Sequence, residues 1–210
     1  MTDRDTEGGR LSAREVLRAI VTDRHADALD PIMVTGSAFW VDDDLWPKIE
    51  SKVPDLPWRV VGNHHEIDVS SWTTADRVSL VTRLLTSGVT KCIVGTRHLL
   101  GEGWDCPPVN CVIDLTGIVA SVTTNQVRGR ALRKDPADAS KVASIWDVIT
   151  IVPGISGGER MLEKLQQRHA HTLGIDATGR IQAGVGRIDP VLKGSALDVA
   201  TDIDGIRQRM

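Results

Sequence analysis

The apolar positions of the chain recur with two spacings, one helical and one strand-like, and the changes between them mark the elements. Behind the capping-box pattern Ser12-Ala13-Arg14-Glu15, the residues Val16, Leu17, Ile20 and Val21 share one helical face until Asp30-Pro31 stops the run. Residues 31–36 form a short apolar burst ending in glycine, the pattern of a buried parallel strand whose tip carries Gly36 and Ser37. An acidic helix start is expected at Asp42-Asp43-Asp44, and residues 55–62 read as a second strand between breakers. A second box at Thr73-Thr74-Ala75-Asp76 opens a helix that aligns Ala75, Val78, Val81, Leu84 and Leu85 and stops at Gly88. Residues 91–95, 111–115 and 143–152 are further strands.

Strands alternating with amphipathic helices predict an open α/β sheet that binds ligands at the carboxyl ends of its strands. From Pro153 the pattern changes to a Gly-Gly entry, a helix over 159–171 and a glycine-punctuated hairpin or irregular stretch over 179–186. Three segments follow: a lead helix in 1–30, the α/β domain in 31–152 and a small C-terminal extension in 153–210. The extension reads either as a flap over a sheet edge or as a partner-binding surface.

Composition narrows this picture. With 210 residues and 41% hydrophobic content, one good core and a small appendage are within reach. The apolar stretches are strand-length, and the first ten residues hold no signal core, so a cytoplasmic chain without a membrane segment is expected. Cys92, Cys106 and Cys111 form no C-x-x-C pair and read as reduced thiols. A net charge of -3 gives no global basic field, so any phosphate contact must be local.

Two stretches carry candidate chemistry. After the helix-cap pattern Thr123-Thr124-Asn125, a helix running through Lys134 would place Gln126, Arg130 and Arg133 on one stripe, with Arg128 turned away. Gly129 beside that stripe lacks a Cβ and admits a close approach to the backbone. Guanidinium groups stay charged and bind oxygens bidentately, so converging arginines suit a polyphosphate. The plainer alternative is a surface helix whose arginines pair with Asp135 or Asp138.

The second stretch, residues 95–107, joins one strand to the next and so lies on a ligand-facing loop. Gly101 and Gly103 permit a tight turn, Glu102 and Asp105 can orient an arginine or accept from a ribose hydroxyl, and Thr96 can donate to a phosphate. A structural turn closed by Pro107-Pro108 accounts for the same residues. Trp104 would either stack on a base or pack into the core.

Together, Gly101-Glu102-Gly103-Trp104-Asp105-Cys106-Pro107 and Gln126-Val127-Arg128-Gly129-Arg130-Ala131-Leu132-Arg133 resemble motifs V and VI of superfamily 2 helicases. Motif V there reads approximately T-x-x-x-x-E-G-x-D-x-P and motif VI Q-x-x-G-R-x-x-R. The wording is similar to excision-repair helicase subunits and type I restriction translocases, and the likeness covers about residues 30–150. It implies a RecA-like open parallel sheet flanked by helices, the second motor domain of a DNA helicase or translocase. Thr96, with Gly36 and Ser37 at the motif IV strand tip, would then touch nucleic acid. Gly103 and Asp105 would couple nucleotide to strand, and Gln126, Gly129, Arg130 and Arg133 would face ATP and its Mg²⁺. Arginine fingers in such a position are worth about 10³ to 10⁵ in rate.

No phosphate-cradling G-x-x-x-x-G-K-[ST] loop or partnering Mg²⁺ motif occurs, so the chain is not expected to hydrolyse ATP alone. The implied partners are DNA and a Walker-motif-bearing RecA-like domain in the same longer protein or another chain. The alternative is a degenerate, non-catalytic motor domain serving as a nucleic-acid or protein-binding module. A dinucleotide fold would need a G-x-G-x-x-G that Asp105 and Cys106 interrupt. No metal site is expected: Asp42-Asp43-Asp44 reads as a solvated helix start, and His64, His65, His169 and His171 as exposed histidines.

Overall fold

The computed structural model describes residues 11–53, 55–96, 99 and 104–209 and shows a mixed α/β protein. Its described residues fall into two compact units, one drawn from 1–110 with 130–143 and the other from 111–129 with 144–210.

The first unit begins with α1 (Ala13–Val21), whose capping box is formed: Ser12 Oγ accepts from the Glu15 amide and Glu15 accepts from the Ser12 amide at 2.6 Å. After α2 (Ala26–Leu29), Asp30 takes a left-handed φ of 45° and turns the chain into β1 (Ile32–Val34). There the chain reverses. Thr35 Oγ1 accepts from the Ala38 amide at 3.0 Å, closing a tight turn around Gly36 and Ser37, and β2 (Ala38–Asp42) returns antiparallel to β1. A short helix α3 (Trp46–Ile49) follows, then β3 (Trp58–Val61) and β4 (His64–Asp68), joined through Gly62 at a φ of 63°. Helix α4 (Thr74–Thr86) carries the second formed capping box and ends before Gly88 at a φ of 68°. Strand β5 (Ile93–Gly95) then pairs parallel to β1.

The sheet order is β3-β4-β2-β1-β5, and only the β1–β5 pairing is parallel. This differs from the open parallel sheet expected from the sequence, because two tight turns fold successive strands back on one another where crossover helices were expected. Both faces are covered. Ile32, Val34, Phe39, Val41 and Ile67 pack with Leu80, Val81 and Leu84 of α4 and Ile49 of α3, while Met33, Trp40 and Val94 pack with Ala13 and Leu17 of α1. Apolar burial on this scale is the main stabilising term for the unit.

In the second unit, β6 (Cys111–Asp114) pairs parallel to β7 (Ser144–Asp147), ending in register at Asp114 and Asp147. Helix α5 (Ser121–Ala131) begins here, and the division between the units falls after Gly129. Helix α6 (Arg160–His169) leads to the hairpin of β8 (Leu173–Ile175) and β9 (Ile181–Ala183), and α7 (Ala196–Thr201) and α8 (Ile203–Arg209) close the chain. Leu162 and Leu165 pack with Val185, Leu192, Ala196, Val199 and Ile206, and Ile149 and Ile151 lie against them. The 153–210 segment therefore contributes the larger share of this core. Among the described residues, no helix is long and apolar enough to cross a membrane.

Candidate functional site

The loop after β5 is anchored from beneath. Trp104 is only 6% exposed, and its indole Nε1 donates to Thr82 Oγ1 of α4 at 2.9 Å, so this tryptophan packs into the core and is no platform for a base. Cys106 is buried in the same cluster. Between these two fixed side chains, Asp105 is exposed and the Trp104 carbonyl is free to accept.

Both arginines named from the sequence reach this loop. Arg130 Nη1 donates to the Trp104 carbonyl, and Arg133 Nη1 pairs with Asp105 Oδ1. Arg130 is buried, and that burial pushes its guanidinium below its ordinary value; the neighbouring Arg133 charge adds to the shift and Asp105 opposes it. The Arg133–Asp105 pair keeps side-chain exposures of 43% and 59%, so solvent screens it. The Asp135 and Asp138 carboxylates accept from the Ala137 amide and from Ser140, closing local turns.

The helical stripe is only partly formed, because α5 ends at Ala131 and Arg133 lies beyond it. Asp135-Pro136 bars the helix from running past Lys134, since the proline disfavours helical geometry in the residue before it. Gln126 is exposed and Gly129 is half-buried. Among the described residues, nothing lies within 4 Å of a Cβ built at Gly129, so none of them makes the close approach that the glycine would allow.

Thr96 follows β5, and Gly36 and Ser37 follow β1. The register Val34↔Gly95 sets these residues at one end of the sheet, as a shared contact surface requires. Gly36 and Ser37 are exposed and Thr96 is half-buried. Gly103, with Gly101 and Glu102, lies outside the described residues.

Arg128, expected to turn away from the stripe of Gln126, Arg130 and Arg133, enters a buried charge network in the second unit, donating to Asp147 Oδ2 at 2.7 Å. Asp147 also accepts from Arg168 and faces His169 Nε2 at 3.0 Å, while Arg168 donates to Asp114 at 3.1 Å and to the Thr116 and Ile118 carbonyls. His169 Nδ1 faces Arg187 Nη2 at 3.2 Å, and its Nε2 lies 3.1 Å from Arg128 Nη2 as well as beside Asp147, so the ring is enclosed by two guanidiniums and a carboxylate. Burial pushes the Asp147 carboxyl up, but His169, Arg128 and Arg168 together outweigh it and hold it at about 2.

Three of the four histidines named from the sequence depart from the exposed surroundings expected of them. His169 is 3% exposed, and His64 and His65 are half-buried on β4, where His65 stacks on Trp46 with ring centroids 4.5 Å apart; of the four, His171 is exposed. Asp42 ends β2 and Asp43 lies 3.1 Å from His65 Nδ1, so the acidic run is a strand end and turn. Among the described residues, no group of three or more His, Cys, Asp or Glu side chains comes together as a metal-ligand set.

Thr82 is the residue of this site that the motifs did not reveal. It lies on a helix fourteen residues before Thr96 in a different element, and nothing in its local spacing marks it. Neither a protein-family model, nor a curated protein, nor a solved structure matches the chain.

Proposed function

We propose that the chain is the second, RecA-like motor domain of a superfamily 2 DNA helicase or translocase. In this reading Arg130 and Arg133 supply positive charge to the phosphates of ATP with its Mg²⁺. The helicase likeness further assigns nucleotide binding to Asp105, Gly103, Gln126 and Gly129, and contact with the DNA backbone to Thr96, Gly36 and Ser37.

The observation that carries the reading is the joining of the two sequence motifs. Arg130 and Arg133 both engage the 104–105 segment, through the Trp104 carbonyl and the Asp105 carboxylate. An exposed Arg133–Asp105 pair is held weakly enough for a polyphosphate to compete for the guanidinium. The sheet-end position shared by Gly36, Ser37 and Thr96 agrees with a nucleic-acid contact.

Hydrolysis requires a Walker-motif-bearing RecA-like domain, in the same longer protein or in another chain, to cradle the phosphates and Mg²⁺. The test is reconstitution. Joined to that domain, the chain gains DNA-stimulated ATPase activity, and Arg130→Ala reduces turnover by about a thousandfold or more. Unchanged turnover in that variant would sink the assignment of Arg130.

One observation favours a second reading, a degenerate motor domain kept as a nucleic-acid or protein-binding module. Arg130 is 9% exposed and donates to a backbone carbonyl, which is a structural use of an arginine. That module binds DNA with a steep salt dependence and shows no ATPase in any reconstitution.

A further inference from the structure

Lys141 belongs to neither motif, yet its ammonium group holds both. Nζ donates to the Pro107 carbonyl at 2.5 Å and to the Arg133 carbonyl at 2.7 Å, and all three residues lie in the first unit. Arg133 is thereby fixed twice, its side chain by Asp105 and its main chain by Lys141. The segment between them is shaped to return the lysine. Asp135 caps the Ala137 amide at 2.9 Å, Asp138 caps the Ser140 amide at 2.9 Å, and the Lys141 amide donates to the Asp138 carbonyl at 3.3 Å.

From this geometry we infer that Lys141 is a positioning residue, clamping the 104–107 loop to the segment beyond α5 so that Arg133 is presented toward the phosphates of a bound nucleotide. This rests on the nucleotide face proposed above. The physical basis is the pair of carbonyls. Arg133 lies beyond the end of α5, so its carbonyl has no helical partner, and the Lys141 ammonium satisfies it together with the Pro107 carbonyl. A neutral residue at 141 would leave the Pro107 and Arg133 carbonyls to water and release Arg133 from its fixed approach. The Lys141 charge also reaches the loop electrostatically: burial pushes the Cys106 thiol up, and Thr86 and Lys141 pull it back.

The experiment compares the full chain with Lys141→Gln, Lys141→Met and Lys141→Arg by hydrogen exchange and by titration with a fluorescent ATP analogue. In Lys141→Gln and Lys141→Met, amides of 104–109 and 130–135 exchange faster while the α4 amides are unchanged. Affinity for the analogue falls about tenfold, the loss expected when a charge-assisted hydrogen bond is removed. Lys141→Arg restores both. Exchange unchanged in both neutral variants overturns the clamp, whatever the nucleotide does. A wild-type chain that binds the analogue, with Lys141→Gln binding it equally well, overturns the positioning role alone. A wild-type chain that binds none overturns the nucleotide face, and the positioning role with it.

Discussion

Arg168 of the second unit and Arg133 of the first are used in opposite ways. In the second, Arg168 is 6% exposed and donates to two carboxylates and two carbonyls, so its charge is wholly committed to holding β6, β7 and the 116–118 segment together. In the first, Arg133 keeps 43% of its side chain exposed and, among the described residues, pairs with one half-solvated carboxylate. Local sequence does not distinguish them, since both stand at or just beyond the end of a polar helix. The difference is burial of the partner: a buried pair is costly to break, whereas an exposed pair exchanges readily with another anion.

The largest effect should come from breaking the buried set. Asp147→Ala strands Arg128, Arg168 and His169 without their shared acceptor, and the second unit should lose about 3–5 kcal/mol, read by denaturant unfolding with Trp146 as its reporter. A loss below about 1 kcal/mol would place that network on the same footing as a surface pair.

Acid gives the next effect. Asp147 is held at about 2, below its ordinary value of 3.8, so its stabilisation is complete above the unfolded value and disappears as pH falls through the folded one. Between about pH 4 and 2 the second unit should lose roughly 2 kcal/mol, and Asp147→Asn should lack this dependence. An unfolding midpoint that fell equally in both proteins would assign the acid sensitivity elsewhere.

Thr82→Val removes the acceptor of the buried Trp104 indole at nearly constant volume, and the first unit should lose about 1–3 kcal/mol. Arg133→Ala should have the smallest effect on stability, under about 1 kcal/mol by thermal melting. A melting loss as large as that of Asp147→Ala would erase the contrast between the units.

Much of this was legible in the sequence. Both capping boxes formed as their residues specified, since each is a reciprocal pair of bonds within four positions. The strands at 93–95 and 111–114 stood out as compact apolar runs between breakers. Strand β4 did not, because His64-His65-Glu66-Ile67-Asp68 offers only one strong hydrophobe and its pairing is set by the turn at Gly62-Asn63 and by β2. The reversal at Gly36-Ser37 was read as the tip of a parallel strand, although Thr35 had the side chain to close a hairpin.

For the site, spacing identified Arg130 and Arg133 but could not give their partners, which lie 26 and 28 residues earlier. The partners of Arg128 were out of reach for the same reason. Helical periodicity assigns a side chain to a face, while what covers that face is decided by Asp147 and His169, 19 and 41 residues away. Lys141 carries no motif signal at all, and only the closure of two turns brings it back to the loop.

The most direct test of the nucleotide face is the affinity of the full chain for a fluorescent ATP analogue, measured for the wild type and Arg133→Ala under conditions where both are folded. The account predicts saturable binding by the wild type, weakened about tenfold or more in the variant, with melting nearly unchanged. Equal affinity in the two proteins, or no binding by the wild type, would contradict it.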